Sequence, residues 1–417
     1  MFDIIGKIRG DKTIWAMVFL LAIVSFLPVY SASTNLVYVI GKGTTFGYLF
    51  KHLVHVLFGF AIIFAIHKMP YHYFKALSIF GLPLVILLLV YTLFKGTMIG
   101  GANASRWIQI PFVGISFQTS TIAFIVLMAY VARYLAKVSD KVYSFADSLL
   151  ELWAPVFIVL ALVLPANFST AALIFSMVCM LVFIGQYPLK YLGFIIGFGI
   201  VSLTMFILVA KAFPDSMPNR VDTWVSRMDS FMDDKPNEDD YQIEKAKIAI
   251  ASGKIYGLGP GKSVQKNFLP QSSSDFIFAI IVEEYGLIGA VLILFIYLLL
   301  LIRFIINAQK ASTLFGKLLI IGLGFPIIFQ ALINMGVAVE LLPVTGQPLP
   351  LISSGGTSIW MTCIAIGIIL SVTKKEEEVA LDLEDKRKRD EALQQIIDAQ
   401  VAINEENEVD EYQQKIN

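Results

Sequence analysis

Asp275, at the edge of the apolar run SSSDFIFAIIVEEYGLIGA, is the residue of this sequence best placed to take a proton. A carboxylate at a membrane boundary is partly desolvated, and such a group can serve as general base on a hydroxyl. The serines at 272 to 274 permit a plainer reading, in which Asp275 caps a helix or complements its dipole. Upstream, Gly257, Gly259 and Gly261 are flanked by Lys254, Lys262 and Lys266, a composition that can build a cationic backbone nest for an anion or leave a loop of solvated charges. Within it, YGLGPGKS imitates half of a nucleotide-binding P-loop. The first glycine of that motif would fall on Tyr256 and the flanks are membrane-like, so nucleotide binding is set aside. Downstream, Ser354-Gly355-Gly356-Thr357-Ser358 would present N–H groups to a phosphate oxygen at a helix start, although a glycine pair also lets membrane helices pack closely. Arg106 beside Trp107 sets a cation next to an interfacial ring, a pair that equally reads as a membrane-belt anchor.

The elements that must position these residues are membrane spans. Of 417 residues, 57% are hydrophobic and 15% charged, and the mean hydropathy is +0.74, far from the roughly 25% charged of soluble domains. Apolar runs long enough to cross a core of about 30 Å recur at 13–33, 47–67, 74–95, 118–137, 150–165, 169–186, 189–212, 275–306, 316–338 and 352–372. The expected fold is therefore an all-α polytopic membrane protein of about ten helices, residues 1–372, followed by a charged helical tail at 373–417. Lys7, Arg9 and Lys12, then Lys68 and Lys75, then Arg133, Lys137 and Lys141, then Arg303, Lys310 and Lys317 occupy alternate loops. That pattern puts both termini in the cytoplasm and the polar regions outside. The first apolar run is too long for a cleavable signal and stays as the first span.

The longest loop, about 212–274, carries Tyr241, Ala246, Ile248, Ala249 and Ile250 at helical spacing, which predicts a helix lying on the membrane surface. Glu283 and Glu284 lie two turns beyond Asp275, where an ionisable group must face the bundle interior; the helical phase puts Glu283 on the face of Asp275 and Glu284 off it. Pro343, Pro348 and Pro350 exclude a continuous helix before the last span. Cys179 and Cys363 fall inside spans and pack as small hydrophobes, and the four histidines lack metal-ligand spacing. No metal is assigned, and a divalent cation such as magnesium or manganese stays open. Zero net charge implies no nucleic-acid partner.

Three segments in this order, GANASRWI at 101–108, LPQSSSDFIFAIIVEEYGLIG at 269–289 and LPVTGQPLPLISSGGTS at 342–358, resemble the FtsW/RodA/SpoVE (SEDS) family. The resemblance implies a ten-span peptidoglycan glycosyltransferase of the bacterial inner membrane that polymerises lipid II, the undecaprenyl-linked disaccharide pentapeptide. It also implies a class B penicillin-binding transpeptidase and other divisome proteins as partners. The family's essential aspartate falls on Asp275, its arginine on Arg106, and its glycine-rich segment on Thr345, Gly346, Ser353, Gly355 and Gly356. Trp107, Lys254, Lys262 and Lys266 complete the expected substrate cleft. The chain departs from the family pattern at Gln118 to Phe124, where a glutamate and a lysine are lost, and at Gln271, where glutamate is usual; Lys254, Lys262 or Lys266 would compensate. The division branch is favoured over the elongation branch. A precursor flippase or transporter and a non-catalytic scaffold are the rival functions.

Overall fold

A computed structural model describes residues 9–38, 43–96, 107–109, 116–139, 144–212 and 238–379, with Glu384, Arg387, Arg389 and Gln394 beyond. Its helices are α1 Lys12–Tyr38, α2 Thr45–Ile66, α3 Tyr73–Lys95, α4 Thr119–Val138, α5 Phe145–Val163, α6 Phe168–Ile184, α7 Leu189–Ala212, α8 Glu238–Gly253, α9 Ile277–Lys310, α10 Leu314–Ala338 and α11 Gly356–Val379. Among the described residues nine are long and apolar enough to cross a membrane, and α6, at 17 residues, is a shorter apolar tenth. The chain is a multi-pass membrane protein with the all-α architecture expected. One feature was not expected: a two-stranded hairpin, β1 Trp107–Gln109 with β2 Ser116–Gln118, pairs Trp107 with Gln118 just before α4.

The bundle is organised around α10, which packs against α9, α4 and α6. Hydrocarbon supplies little drive for helices to associate, so close approach of small residues matters. A Cβ on Gly324 would stand 2.7 Å from the Phe304 ring of α9, and one on Gly322 would stand 2.9 Å from Leu181 of α6. Gly59 of α2 receives Cys363 of α11 in the same way, a Cβ there falling 2.7 Å from Sγ. Cys363 thus packs as a small apolar side chain.

Two features add to the sequence expectation. Helix α11 runs on to Val379, past the expected end at 372, because its last turns are tied to the chain start and to the α9–α10 turn. Arg9 pairs with Glu378 at 3.0 Å, the Gly10 N–H donates to Glu377 at 2.7 Å, and Ser312 donates to Glu376. Almost all of the tail beyond lies outside the described residues. Helix α8 docks on protein through one face. Ile243, Ala246 and Ala249 form a small core with Leu269, Phe276, Ala279, Ile280, Val337 and Val344, whereas Tyr241 and Ile248 face outward. Of the face read in the sequence, Ala246, Ala249 and Ile250 thus lie on the protein side, and Tyr241 and Ile248 do not.

Helix α9 is broken. At 34 residues it would span about 51 Å as one rod, and it is interrupted at Gly286, with φ 67° and ψ −165°. The glycine-rich loop is spliced into the gap. The N–H groups of Leu258 and Gly259 donate to the carbonyls of Glu283 and Glu284 at 2.9 and 3.0 Å. Those of Leu287 and Ile288 donate to the carbonyls of Lys254 and Ile255 at 2.9 and 3.3 Å. Backbone groups freed by the break are thereby satisfied, as a membrane-embedded chain requires. Glycine makes the contact sterically feasible: a Cβ on Gly286 would lie 2.2 Å from the Ile255 carbonyl oxygen, and one on Gly257 2.2 Å from that of Glu284. Gly257 therefore lets two backbones meet, which accounts for part of the P-loop-like spelling.

Candidate active site

Asp275 lies in the turn that enters α9, not in the helix, which begins at Ile277 with Phe276 as its cap residue and no side-chain capping bond. Asp275 is thus one residue before the cap position, and helical phase does not relate it to Glu283. Phe276 is fully buried in the α8 core, which anchors the turn from below. From the other side, three consecutive carbonyls are held. The Ser354 N–H donates to Ser273 at 2.8 Å, the Ser353 hydroxyl to Ser274 at 2.6 Å, and the Asn334 amide to Asp275 at 2.7 Å.

The proline-rich segment between α10 and α11 is built by the same logic. Proline supplies no N–H, so carbonyls along this segment find side-chain donors instead. Asn334 Nδ2 also donates to the Gln347 carbonyl at 2.8 Å, Gln330 Nε2 to that of Pro348 at 3.0 Å, and the Tyr297 hydroxyl to that of Pro350. Gln347 Nε2 reaches Thr170 of α6 at 3.0 Å. Leu351, buried and with φ 65°, holds a left-handed conformation that an L side chain adopts at a cost of about 1–2 kcal/mol. Such strain persists where surrounding contacts over-determine the backbone.

This scaffold brings Gly346 against Asp275. Gly346 has φ 65°, and a Cβ built on it would stand 3.5 Å from Asp275 Oδ2. Thr345 and Gly346 are half-buried, as is Asp275. Ser353 is buried, its hydroxyl committed to Ser274 and to the Leu349 N–H at 2.7 Å. Gly355 precedes α11 and Gly356 opens it; a Cβ on Gly356 would fall 2.5 Å from His55 Nε2 of α2. At Gly356 the close-packing reading of the glycine pair is therefore realised, with an imidazole as the neighbour.

The loop lysines separate. Lys254 and Lys262 are exposed. Lys266 is buried, its ammonium bonded to the Gly261 carbonyl at 2.7 Å and the Ser31 hydroxyl at 3.0 Å. Ser31 in turn donates to Glu284, so Lys266 serves a buried polar relay and is withdrawn from the set of open-cleft cations. Glu283 takes the hydroxyl of Ser263 and the N–H groups of Val264 and Gln265, the latter two at 2.9 and 3.2 Å, so both glutamates fasten this loop to α9. Trp107 is half-buried in β1; Arg106 lies outside the described residues.

Comparison with known proteins gives the family. A model of the FtsW/RodA/SpoVE family, described as cell cycle proteins, matches residues 11–378. This chain belongs to the FtsW/RodA/SpoVE family. Among curated relatives, the probable peptidoglycan glycosyltransferase FtsW of Nitrosomonas europaea is 31% identical over 87% of this chain and 92% of its own. The FtsW of Geobacter sulfurreducens is 32% identical over 88% and 96%, and that of Enterococcus hirae 30% over 90% and 93%. The fold matches a chain of a peptidoglycan synthase complex with a TM-score of 0.67 and 23% identity, covering 88% of this chain and 98% of that one. It also matches the rod shape determining protein RodA of Thermus thermophilus, with a TM-score of 0.63 and 21% identity over 88% and 97%.

In this FtsW/RodA/SpoVE chain the residues that sequence reasoning passed over are Asn334, Gln330, Tyr297 and Ser31. Asn334 and Gln330 stand four apart in an otherwise apolar span, hence on one face. A buried amide in a membrane helix needs a partner, and that was the available signal.

Proposed function

We propose that the protein is a peptidoglycan glycosyltransferase that polymerises lipid II during cell division, at the outer face of the bacterial plasma membrane, with both termini in the cytoplasm. The observation that carries the reading is the fixation of the Asp275 turn against Gly346 and Ser353 by three bonded carbonyls, in a chain whose curated relatives are named FtsW. In the reaction a sugar hydroxyl attacks the anomeric carbon of a second, lipid-linked sugar. The Asp275 carboxylate takes the hydroxyl proton as the new C–O bond forms, and the bond to the pyrophosphate breaks with its electron pair left on the phosphate oxygen. The leaving group is already acidic, so one carboxylate suffices for direct displacement with inversion. Arg106, Trp107, Lys254, Lys262, Thr345 and Gly355 complete the proposed substrate surface. The cations offset the charge gathering on undecaprenyl pyrophosphate.

A class B penicillin-binding transpeptidase is the proposed partner, working beside other divisome proteins. A chain of similar fold occurs in a peptidoglycan synthase complex. Among the described residues no three His, Cys, Asp or Glu side chains gather to hold a metal. A divalent cation, magnesium or manganese, enters the proposal as an ion carried by the pyrophosphate.

The test is glycan-strand synthesis from purified lipid II by the reconstituted protein with its cognate transpeptidase, comparing wild type with Asp275→Ala at matched folded yield. Polymer from the wild type and a loss of about 10² to 10⁴ in rate in the variant are expected for a general base. Polymer from neither would overturn the reading in favour of a transporter or scaffold, which a lipid-translocation assay would then separate.

A further inference from the structure

We infer that Asn334 is the positioning residue of the site: its single amide nitrogen ties the backbone carbonyl of Asp275 to that of Gln347 and so fixes the carboxylate against Gly346. This deepens the glycosyltransferase reading and rests on it. Asn334 is 1% exposed and sits near the end of α10, the most central helix. Nδ2 donates at 2.7 Å to Asp275 and at 2.8 Å to Gln347, two carbonyls from segments 72 residues apart in the chain (347 minus 275). Both of its N–H bonds are spent on main chain, and Oδ1 is buried without a partner. A buried polar atom left unpaired is costly, so a side chain that tolerates it is retained for what its other end does.

The other bonds across this junction do not substitute for it. Ser353 and Ser354 hold Ser274 and Ser273, the residues before Asp275, while Gln330 and Tyr297 hold only the proline-rich segment. Among the bonds described, Asn334 is the side chain that joins the Asp275 carbonyl to that of Gln347, the residue after Gly346; the Phe276 N–H, in the same peptide as the Asp275 carbonyl, donates only within its own turn, to Gln271 at 3.2 Å. Its loss loosens the peptide that carries the carboxylate relative to Gly346, and small misplacements of a catalytic group cost about 10²-fold in rate. Ground-state contacts proposed for Lys254 and Lys262, which lie on a different loop, are untouched.

The test uses the full-length protein with its transpeptidase and lipid II, comparing wild type, Asp275→Asn and Asn334→Asp, which keeps the shape but, as a buried carboxyl, has at most one donor for the two carbonyls. The expected result for Asn334→Asp is a kcat lower by about 10²-fold with KM within about twofold, and faster labelling of Asp275 by a water-soluble carbodiimide, read by mass spectrometry, as its carboxylate swings free. Should Asn334→Asp fail to fold, Asn334→Ser, which offers one donor on a shorter arm, takes its place. Unchanged kcat, a KM that rises in step with any fall in kcat, or unchanged Asp275 labelling in a folded variant overturns the inference. A wild type that makes no polymer would sink the glycosyltransferase reading instead, and the labelling comparison would still decide the role of Asn334.

Discussion

Gly346 and Asp275 meet across two loops: the glycine, in a left-handed conformation at φ 65°, has room for a Cβ only at van der Waals distance, 3.5 Å, from Asp275 Oδ2. The conformation and the contact make separate demands. Gly346→Ala would pay about 1–2 kcal/mol for the backbone alone, and its methyl group would cover part of the face by which a substrate hydroxyl approaches. The expected outcome is a fall of a few degrees in thermal midpoint in detergent, together with a larger loss of polymerising activity, up to about 10²-fold. A variant that loses stability but keeps wild-type turnover per folded molecule would show that Gly346 serves the loop and not the carboxylate.

The splice in α9 predicts an ordering among glycines of one short loop. Gly257 and Gly261 both hold positive φ, 79° and 76°, so an alanine costs each about the same in backbone strain. Only at Gly257 would the new Cβ strike main chain, 2.2 Å from the Glu284 carbonyl oxygen; at Gly261 nothing lies within 4 Å. Gly257→Ala should therefore be the more destabilising by about 1–3 kcal/mol, the usual range for overpacking. Gly286→Ala, facing the Ile255 carbonyl at 2.2 Å, should resemble it. Thermal unfolding of the three variants checks the order, and equal losses at Gly257 and Gly261 would refute the splice as the reason for the glycines.

What could be read in the sequence follows from which forces act locally. Span positions were legible because crossing hydrocarbon demands a continuous apolar run, and the three motif segments were legible because their prolines, glycines and charges interrupt it. The break in α9 was hidden: in IIVEEYGLIGAVLILF the apolar pattern resumes directly after Glu283 and Glu284, and the partners that satisfy the broken backbone come from some 30 residues upstream (286 minus 255 is 31). The docking face of α8 was legible in part: Ala246, Ala249 and Ile250 lie on it as read, whereas Tyr241 and Ile248 do not. Ala246 and Ala249 are small and carry little hydropathy, yet they allow the close contact with α9, while the larger Ile248 is turned outward. Lys266 and Glu284 read as isolated charges until Ser31, from α1, is placed between them.

That relay separates the loop lysines experimentally. Lys254 and Lys262 are exposed, so Lys254→Ala and Lys262→Ala should leave folded yield unchanged and, if they contact the pyrophosphate, raise KM for lipid II in a salt-sensitive way. Lys266→Met should lower folded yield instead, because it strips a donor from Ser31 and the Gly261 carbonyl and leaves Glu284 buried with less compensation. Adding Glu284→Gln should restore part of the loss. A Lys266→Met protein of normal stability with impaired KM would return Lys266 to the substrate surface.

At the opposite end of α9, Asp11 gives a pH prediction. Burial raises its carboxyl pKa, but hydrogen bonds from Asn307, at 2.6 Å, and from Arg303, together with the Ile14 N–H, outweigh burial and hold it below the ordinary 3.8. For a depressed carboxylate the stabilisation is whole above the unfolded-state value and is lost as pH falls through the folded-state one. The protein should thus hold this contribution at neutral pH and lose it below about pH 4. Asp11→Asn should be less stable at pH 7 by about 1–3 kcal/mol, the range for hydrogen bonds to a charged group, the more modest end being expected because Arg303 is about a third exposed. The gap between the two proteins should close as pH falls below 4. Thermal midpoints measured from pH 3 to pH 7 on both proteins test this, and a gap that stays constant across that range would mean that Asp11 stabilises the N-terminus by shape and not by charge.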